Sequence, residues 1–495
     1  MYSGRGFRES EIGDIDVIRH DGQYHLFHLI LPNHDYIAHA VSRDCIHWRR
    51  VKNALFVGDP GEWDDDMIWT MNVVTEEKGF VMYYTGLNQA EGGMFQRIGR
   101  AVSSDLYSWQ KENHTPFPIG SAGPHYESPE NRPRQWVSFR DPYRFSDGDE
   151  TFLLVCARIG TGSVSRRGCV GLIEMTDGDA KLHSPLFTPF VYDDVECPCL
   201  LKIDETYYLI GSIREDVKVH YWYSRSFRGE YHAFHNNVLM PKGNYAARVT
   251  RDGDRWLLYS FYVVGKEVER AHRYLPPPKE VVRDDSGKLI LKSFHRWSEK
   301  IERTLMQNAL PEFRPTFGNP GARHERNESN LVVDSLSGYE TFLFPCDSMN
   351  LIWTGTIEAV GLGKCGFVFD SNSEGEGYYI SLDVVQGFVQ IRAWGGNPVD
   401  IHKDYVFENL QTNNFPPRDN RRYEFQLIRY GAYIEFSIDG VVRLSLVDAQ
   451  FSGDQAGIYC ESARISLQNT RLHRLKKNES DDLEHFEPTL SDGHA

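Results

Sequence analysis

The 495-residue chain is short of positive charge: 54 Lys and Arg stand against 70 Asp and Glu, a formal net charge of −16. No basic cluster offsets the excess, so nucleic acid is not an expected partner, because phosphate binding needs a basic footprint. Long apolar runs are also missing. None approaches the roughly 18 residues of a membrane span, so no membrane partner is expected. The opening stretch, residues 1–10, has no apolar signal-peptide core. The cysteines, at 45, 156, 169, 197, 199, 346, 365 and 460, fall mostly inside apolar strand-like runs. They read as buried free thiols, and the chain as cytoplasmic. Cys197-Pro198-Cys199 has no second Cys or His pair nearby, so no zinc site, other metal or cofactor is expected.

Aromatic residues are plentiful: 26 Tyr, 28 Phe and 10 Trp, 13% of the chain. Most of this excess reads as β-sheet propensity. Helical periodicity of any length is hard to find, and the length implies two or three domains. Up to residue 290 a Gly or acidic turn opens an aromatic-aliphatic strand at Gly22–Phe27, Lys78–Tyr84, Asp149–Val155, Asp204–Ile210 and Asp252–Tyr259. The spacing, about 50 to 70 residues, is the scale of one propeller blade with its loops. Ile37–Trp48 and Ile98–Trp109 echo each other, a strand ending in a Ser/Asp turn and a Trp. The expected fold is all-β, a five-bladed β-propeller over residues 1–290. A Pro-rich segment from Leu275 stiffens the chain, and residues 291–329 read as a linker. Long alternating strands return at Leu351–Val360, Tyr378–Val385 and Tyr433–Ile438, and Asp439-Gly440 reads as a hairpin turn. Residues 330–476 are thus expected to form a β-sandwich of two facing sheets. The acidic stretch 477–495 reads as a disordered tail.

Three acidic segments follow in order: Gly13-Asp14-Ile15-Asp16, Arg140-Asp141-Pro142 and Glu196-Cys197-Pro198. Each puts a carboxylate at a strand start or in a tight turn. Glycoside hydrolysis needs one carboxylate at the anomeric carbon and one acid at the leaving oxygen, and an acidic cleft suits a neutral sugar. Asp14, in the expected innermost strand of blade one, is the candidate nucleophile. Asp16 competes with it, since residues two apart on a strand share a face. Glu196 is the candidate acid/base, which must hold its proton near neutrality.

This order of motifs, with the propeller, sandwich and post-propeller segment Pro276–Leu289, resembles glycoside hydrolase family 32, the β-fructofuranosidases. The resemblance implies that Asp141 binds sugar hydroxyls and stabilises the oxocarbenium-like transition state. Arg140 would hold Asp141 or Glu196 by a charge-assisted bond. Trp69 and Asn72, in the place of the family's Trp-Ser-Gly-Ser segment, would line the sugar site, as would His34 and Tyr245. The chain departs from the family's Asn-Asp-Pro-Asn-Gly at the first acid. Asp14-Ile-Asp-Val is closer to glycoside hydrolase family 43, whose inverting members use this Asp as general base.

The resemblance thus implies a retaining glycosidase of terminal β-fructofuranosides acting on an oligosaccharide or small glycoside. An inverting arabinofuranosidase or xylosidase and a fructosyltransferase stay open beside it. A non-catalytic sugar-binding propeller fits less well, since a binder needs no such acid. The oligomeric state, a homo-oligomer included, is open.

Overall fold

A computed structural model describes residues 1–4, 11–112, 124–176, 179–264, 272–307, 310–327, 329–335, 337–346, 349–396 and 405–476. The chain divides into two compact units, one spanning Met1–Leu289 and one beginning at Ile290. Among the described residues no helix is long and apolar enough to cross a membrane. None of the eight cysteines forms a disulfide, and all are buried.

The first unit is a five-bladed propeller, each blade an antiparallel sheet of at least four strands. The innermost strands are Glu11–His20, Met67–Glu76, Phe139–Asp147, Glu196–Ile203 and Asn244–Asp252. The repeated aromatic-aliphatic runs are the second strands, Gln23–Leu31, Gly79–Leu87, Glu150–Arg158, Thr206–Ile213 and Arg255–Val264. Flanked on both sides within a blade and packed on both faces, they read as nearly unbroken apolar runs. The innermost strands pack in ring order and the fifth returns to the first. Closure there is polar: Thr250 donates to the Val17 carbonyl, Tyr24 donates to Asp252 (2.8 Å), and Arg19 pairs with Asp252 (3.0 Å). The echoed Ser/Asp turns cap alike, Asp44 accepting from Ile46 and His47 amides and Asp105 from Tyr107 and Ser108 amides.

Every innermost strand breaks register near its start: between Ile12 and Ile15, Trp69 and Met71, Arg140 and Tyr143, Glu196 and Cys199, and Tyr245 and Arg248. A bulge re-aims side chains and frees backbone groups. Five aligned bulges therefore build a ring of diverted side chains at one end of the propeller axis.

In the second unit the two expected sheets are one. Asn350–Ser371 and Gln455–Leu475 pair along their lengths and carry a continuous sheet from one layer into the other. The register shifts between Gly361 and Lys364. A Cβ at Gly363 would lie 1.7 Å from the Glu461 carbonyl oxygen, so the strands cross there only because the residue is glycine. The hairpin at Asp439-Gly440 forms as expected, with Ile438 opposite Val441 and positive φ at both turn residues.

The stretch read as a linker, 291–329, is instead part of this unit. Ile301–Gln307 pairs with the last strand, Arg314-Pro315 with Phe342 and Leu343, and Ala322–Arg326 with Leu331–Ser335. These strands expose Glu302, Arg303, Thr304 and His324, so they lack the alternation that marks a half-buried strand. The tail 477–495 lies outside the described residues.

Candidate active site

The bulges gather the three acids. Arg140, Glu196 and Tyr245 occupy the same position in blades three, four and five, the last paired residue before the register shift. They bond in a row. Arg140 Nη2 donates to Glu196 Oε1 at 2.5 Å, and the Tyr245 hydroxyl donates to Glu196 Oε2. Both oxygens of Glu196 are thereby oriented, while its side chain stays partly open to solvent.

Asp14 and Asp141 face each other beside that row. Asp14 accepts a hydrogen bond from the Thr70 hydroxyl, supplied by the bulge of blade two. Asp141 is buried with φ of 60°, and its Oδ2 accepts from the Cys197 amide at 2.9 Å. Cys197 itself has φ of 49° and Ala246, its counterpart in blade five, 51°. Left-handed backbone in non-glycine residues is uncommon and clusters at functional sites. Side-chain atoms of Asp14, Asp141 and Cys197 come within 4.8 Å of one another. Burial and the two carboxylates push the Cys197 thiol well above its ordinary value.

Burial raises the Asp14 carboxyl above its ordinary value; the Thr70 hydrogen bond draws it back, and the charge of Glu196 pushes it up again. Burial also raises Asp141, against the pull of Arg140 and with a push from Asp14. Asp16 points the same way as Asp14 but lies deeper, where Asn72 Nδ2 (3.1 Å) and the Val73 amide (2.6 Å) donate to it. The same-face reading therefore holds: Asp14 meets Thr70 and Asp16 meets Asn72, two residues along both strands. Asn72 Oδ1 in turn accepts from the Arg144 amide at 2.8 Å. Asp16 and Asn72 are both buried and tie blades one, two and three together, apart from the mouth. Burial lifts Asp16 to about 6, with Arg248 opposing.

His34 and Trp69 lie together, ring centroids 5.8 Å apart, across blades one and two. His34 Nδ1 and Trp69 Nε1 are buried without a hydrogen-bond partner among the described residues. Burial lowers His34 to about 4, so its ring is neutral near pH 7.

Several supporting residues escaped the sequence reading. Arg140 also donates to Asp194 (3.2 Å), which Arg134 reaches at 3.4 Å. Burial works against the Asp194 charge, but Arg140, Arg134 and Arg158 pull it below its ordinary range. Arg248, fully buried, donates to the carbonyls of Pro198 (2.7 Å) and Pro142 (3.3 Å), which the two bulges turn inward. One signal was available: Thr70 and Arg248 are polar residues in otherwise apolar strand starts, and Asp194 belongs to an acidic pair just ahead of the strand that begins at Glu196.

Residues 15–266, just over half the chain, match the model of the glycosyl hydrolases family 32 N-terminal domain. The chain belongs to glycoside hydrolase family 32. A levanase from Bacillus sp. (strain L7) is 33% identical over 139 residues, 26% of this chain and 14% of the levanase. The matched stretch thus spans only a small part of that relative. Sucrose-6-phosphate hydrolase from Lactobacillus gasseri superposes with a TM-score of 0.69 at 14% identity, over 94% of this chain and 91% of that one. Exo-inulinase from Aspergillus awamori gives 0.68 at 14% identity, over 96% and 97%. Fructan 1-exohydrolase IIa from Cichorium intybus gives 0.65 at 14% identity, over 95% and 96%. These structures share the fold of this chain along nearly its whole length.

Proposed function

We propose that this protein hydrolyses terminal β-fructofuranosides by a retaining two-carboxylate mechanism, with Asp14 as nucleophile and Glu196 as acid/base. The observation that carries it is the bonded row at the bulges: Glu196 oriented by Arg140 and Tyr245, beside Asp14 held by Thr70. The Asp14 carboxylate attacks the anomeric carbon as the bond from that carbon to the leaving oxygen breaks. The leaving oxygen takes the Glu196 proton, and a covalent ester forms on Asp14. Water then attacks the same carbon and gives a proton to Glu196. The ester bond breaks, its electron pair returns to Asp14, and the sugar leaves with its original anomeric configuration.

Asp141, fixed by the Cys197 amide, would bind sugar hydroxyls and carry negative charge beside the oxocarbenium-like transition state. The partnerless His34 Nδ1 and Trp69 Nε1 support a role toward sugar hydroxyls. Similarity to a levanase, an exo-inulinase and a fructan exohydrolase supports fructose as the sugar.

Proton NMR of the first-formed product tests the mechanism. A retained anomer is expected; an inverted one appearing first overturns the Asp14 ester and favours a water-mediated, family 43-like reaction. Sucrose, inulin and levan should be cleaved in preference to arabinofuranosides and xylosides. Absence of turnover on all of them would leave a sugar-binding propeller.

A further inference from the structure

A sheet packed on one side alternates apolar-inward with polar-outward positions. One layer of the second unit, containing Tyr339–Pro345, Gly377–Asp383, Phe388–Gly396 and the start of Gln455–Leu475, departs from this. Its inward residues, such as Phe342, Ile380, Ile391 and Ile458, are buried as expected. The opposite face carries Tyr339, Tyr379, Trp394 and Tyr459, which pack ring to ring at 5.5 to 6.4 Å; Tyr379 and Tyr459 are buried there with Leu343 and Val368, Tyr339 is half-buried, and Trp394 is open to solvent. Phe317 joins at 5.5 Å from Tyr339, and Phe407 at 5.6 Å from Trp394. Three of these rings stand well into solvent: Phe317 is 54% exposed, Trp394 42% and Phe407 58%. A local rule broken this consistently marks function more often than stability.

We infer that this face is a second saccharide-binding site, a stacking platform for a neutral glycan chain, distinct from the propeller mouth. The chemistry of the face selects that occupant. Aromatic rings offer flat apolar surface to the C–H faces of sugar rings while their hydroxyls stay polar. A hydrogen-bonding group lies among them: the Arg392 guanidinium sits 5.7 Å over Phe407 and is held by Gln390 (2.8 Å). The run Phe317–Tyr339–Trp394–Phe407 steps by 5.5, 5.9 and 5.6 Å, a line of faces rather than a single pocket, which suits a chain. The net charge of −16 disfavours an anionic polymer. A second copy of the protein would bring another net charge of −16 against this one and would have to bury about 800 Å² per partner. The choice of fructan as the chain rests on the function proposed for the first unit.

The test is retardation of the full-length Asp14→Asn protein in native gels cast with inulin, levan, arabinan or xylan. Inulin or levan should retard it. Trp394→Ala and Phe407→Ala, each added to Asp14→Asn, should weaken that retardation about fivefold or more. Phe407→Ala, the more exposed site, guards against a folding defect in Trp394→Ala. In the active protein both changes should leave kcat/KM for sucrose unchanged and raise KM for the polymer. Retardation that survives both variants, or that free fructose abolishes, would overturn the platform. So would variants that only convert a dimer to a monomer in light scattering. Retardation by arabinan or xylan alone, lost in the same variants, would keep the platform and overturn the fructan assignment.

Discussion

In the second unit Arg429 is buried against Asp370 at 2.7 Å, both almost without solvent exposure. Its Nη1 donates to the Asp448 carbonyl at 3.0 Å, and its guanidinium lies 5.4 Å over the Tyr378 ring. One cation meets one anion and the surroundings close over them. The propeller axis is built differently. Arg248 is as deeply buried, yet its donors go to the carbonyls of Pro142 and Pro198 and not to a carboxylate. Asp14, Asp16 and Asp141 are all raised by burial. Matched burial is scaffolding, whereas carboxylates held near each other short of cations are poised to exchange protons and charge.

The contrast breaks most sharply under substitution. Asp14→Asn and Glu196→Gln should each lower kcat by about 10⁴-fold or more while the thermal midpoint stays within a few degrees. Both keep shape, and Asp14→Asn removes a charge that burial disfavours. Arg429→Met should do the reverse. It strands Asp370 in the interior and should cost about 3–5 kcal/mol of stability, with kcat of the folded protein unchanged. Turnover and denaturant midpoints on the three variants decide this. Activity above about 1% in Asp14→Asn would pass the nucleophile's role to a neighbour.

A smaller effect separates Asp16 from Asp14. Its pKa rises from 3.8 unfolded to about 6 folded, so the folded state binds the proton more tightly. The associated stability is present below the unfolded value and is lost as pH rises through about 6. By pH 7 the loss is about 3 kcal/mol, at about 1.4 kcal/mol per unit. Asp16→Asn should flatten this slope, so its midpoint relative to the parent should improve from pH 4 to pH 7. The buried histidines titrate in both proteins and cancel in the difference. A constant difference across that range would return Asp16 to the mouth of the site.

The parts legible from the sequence were those that local chemistry dictates. Turn residues opened the second strand of each blade, Asp439-Gly440 made its hairpin, and Arg140-Asp141-Pro142 and Glu196-Cys197-Pro198 fell at strand starts as expected. Long-range pairing was not legible. Thr70 meets Asp14, Asn72 meets Asp16 and Arg140 meets Glu196 across 56 residues each, because the partner of a bulge residue is set by blade order. The sandwich hid its continuity in one crossing at Gly363. Its edge strands at 301–307 and 322–326 hid in polar sequence.

The finest distinction is between a carboxylate tuned by its neighbours and one that is merely buried, and Thr70 tests it. Its hydroxyl donates to Asp14, which favours the charged carboxylate and so lowers its pKa, opposing the rise from burial. Thr70→Val keeps the branched shape and removes the donor. The Asp14 pKa should then rise, and since the nucleophile must be ionised, the acid limb of kcat/KM should move to higher pH. The plateau above it should fall modestly, because the carboxylate loses orientation but not charge. Arg429→Met in the second unit should leave the acid limb where it is. A limb that stays put in Thr70→Val would mean that a group other than Asp14 governs the acid side of the profile, and Asp141, raised by burial as well, would be the next to test.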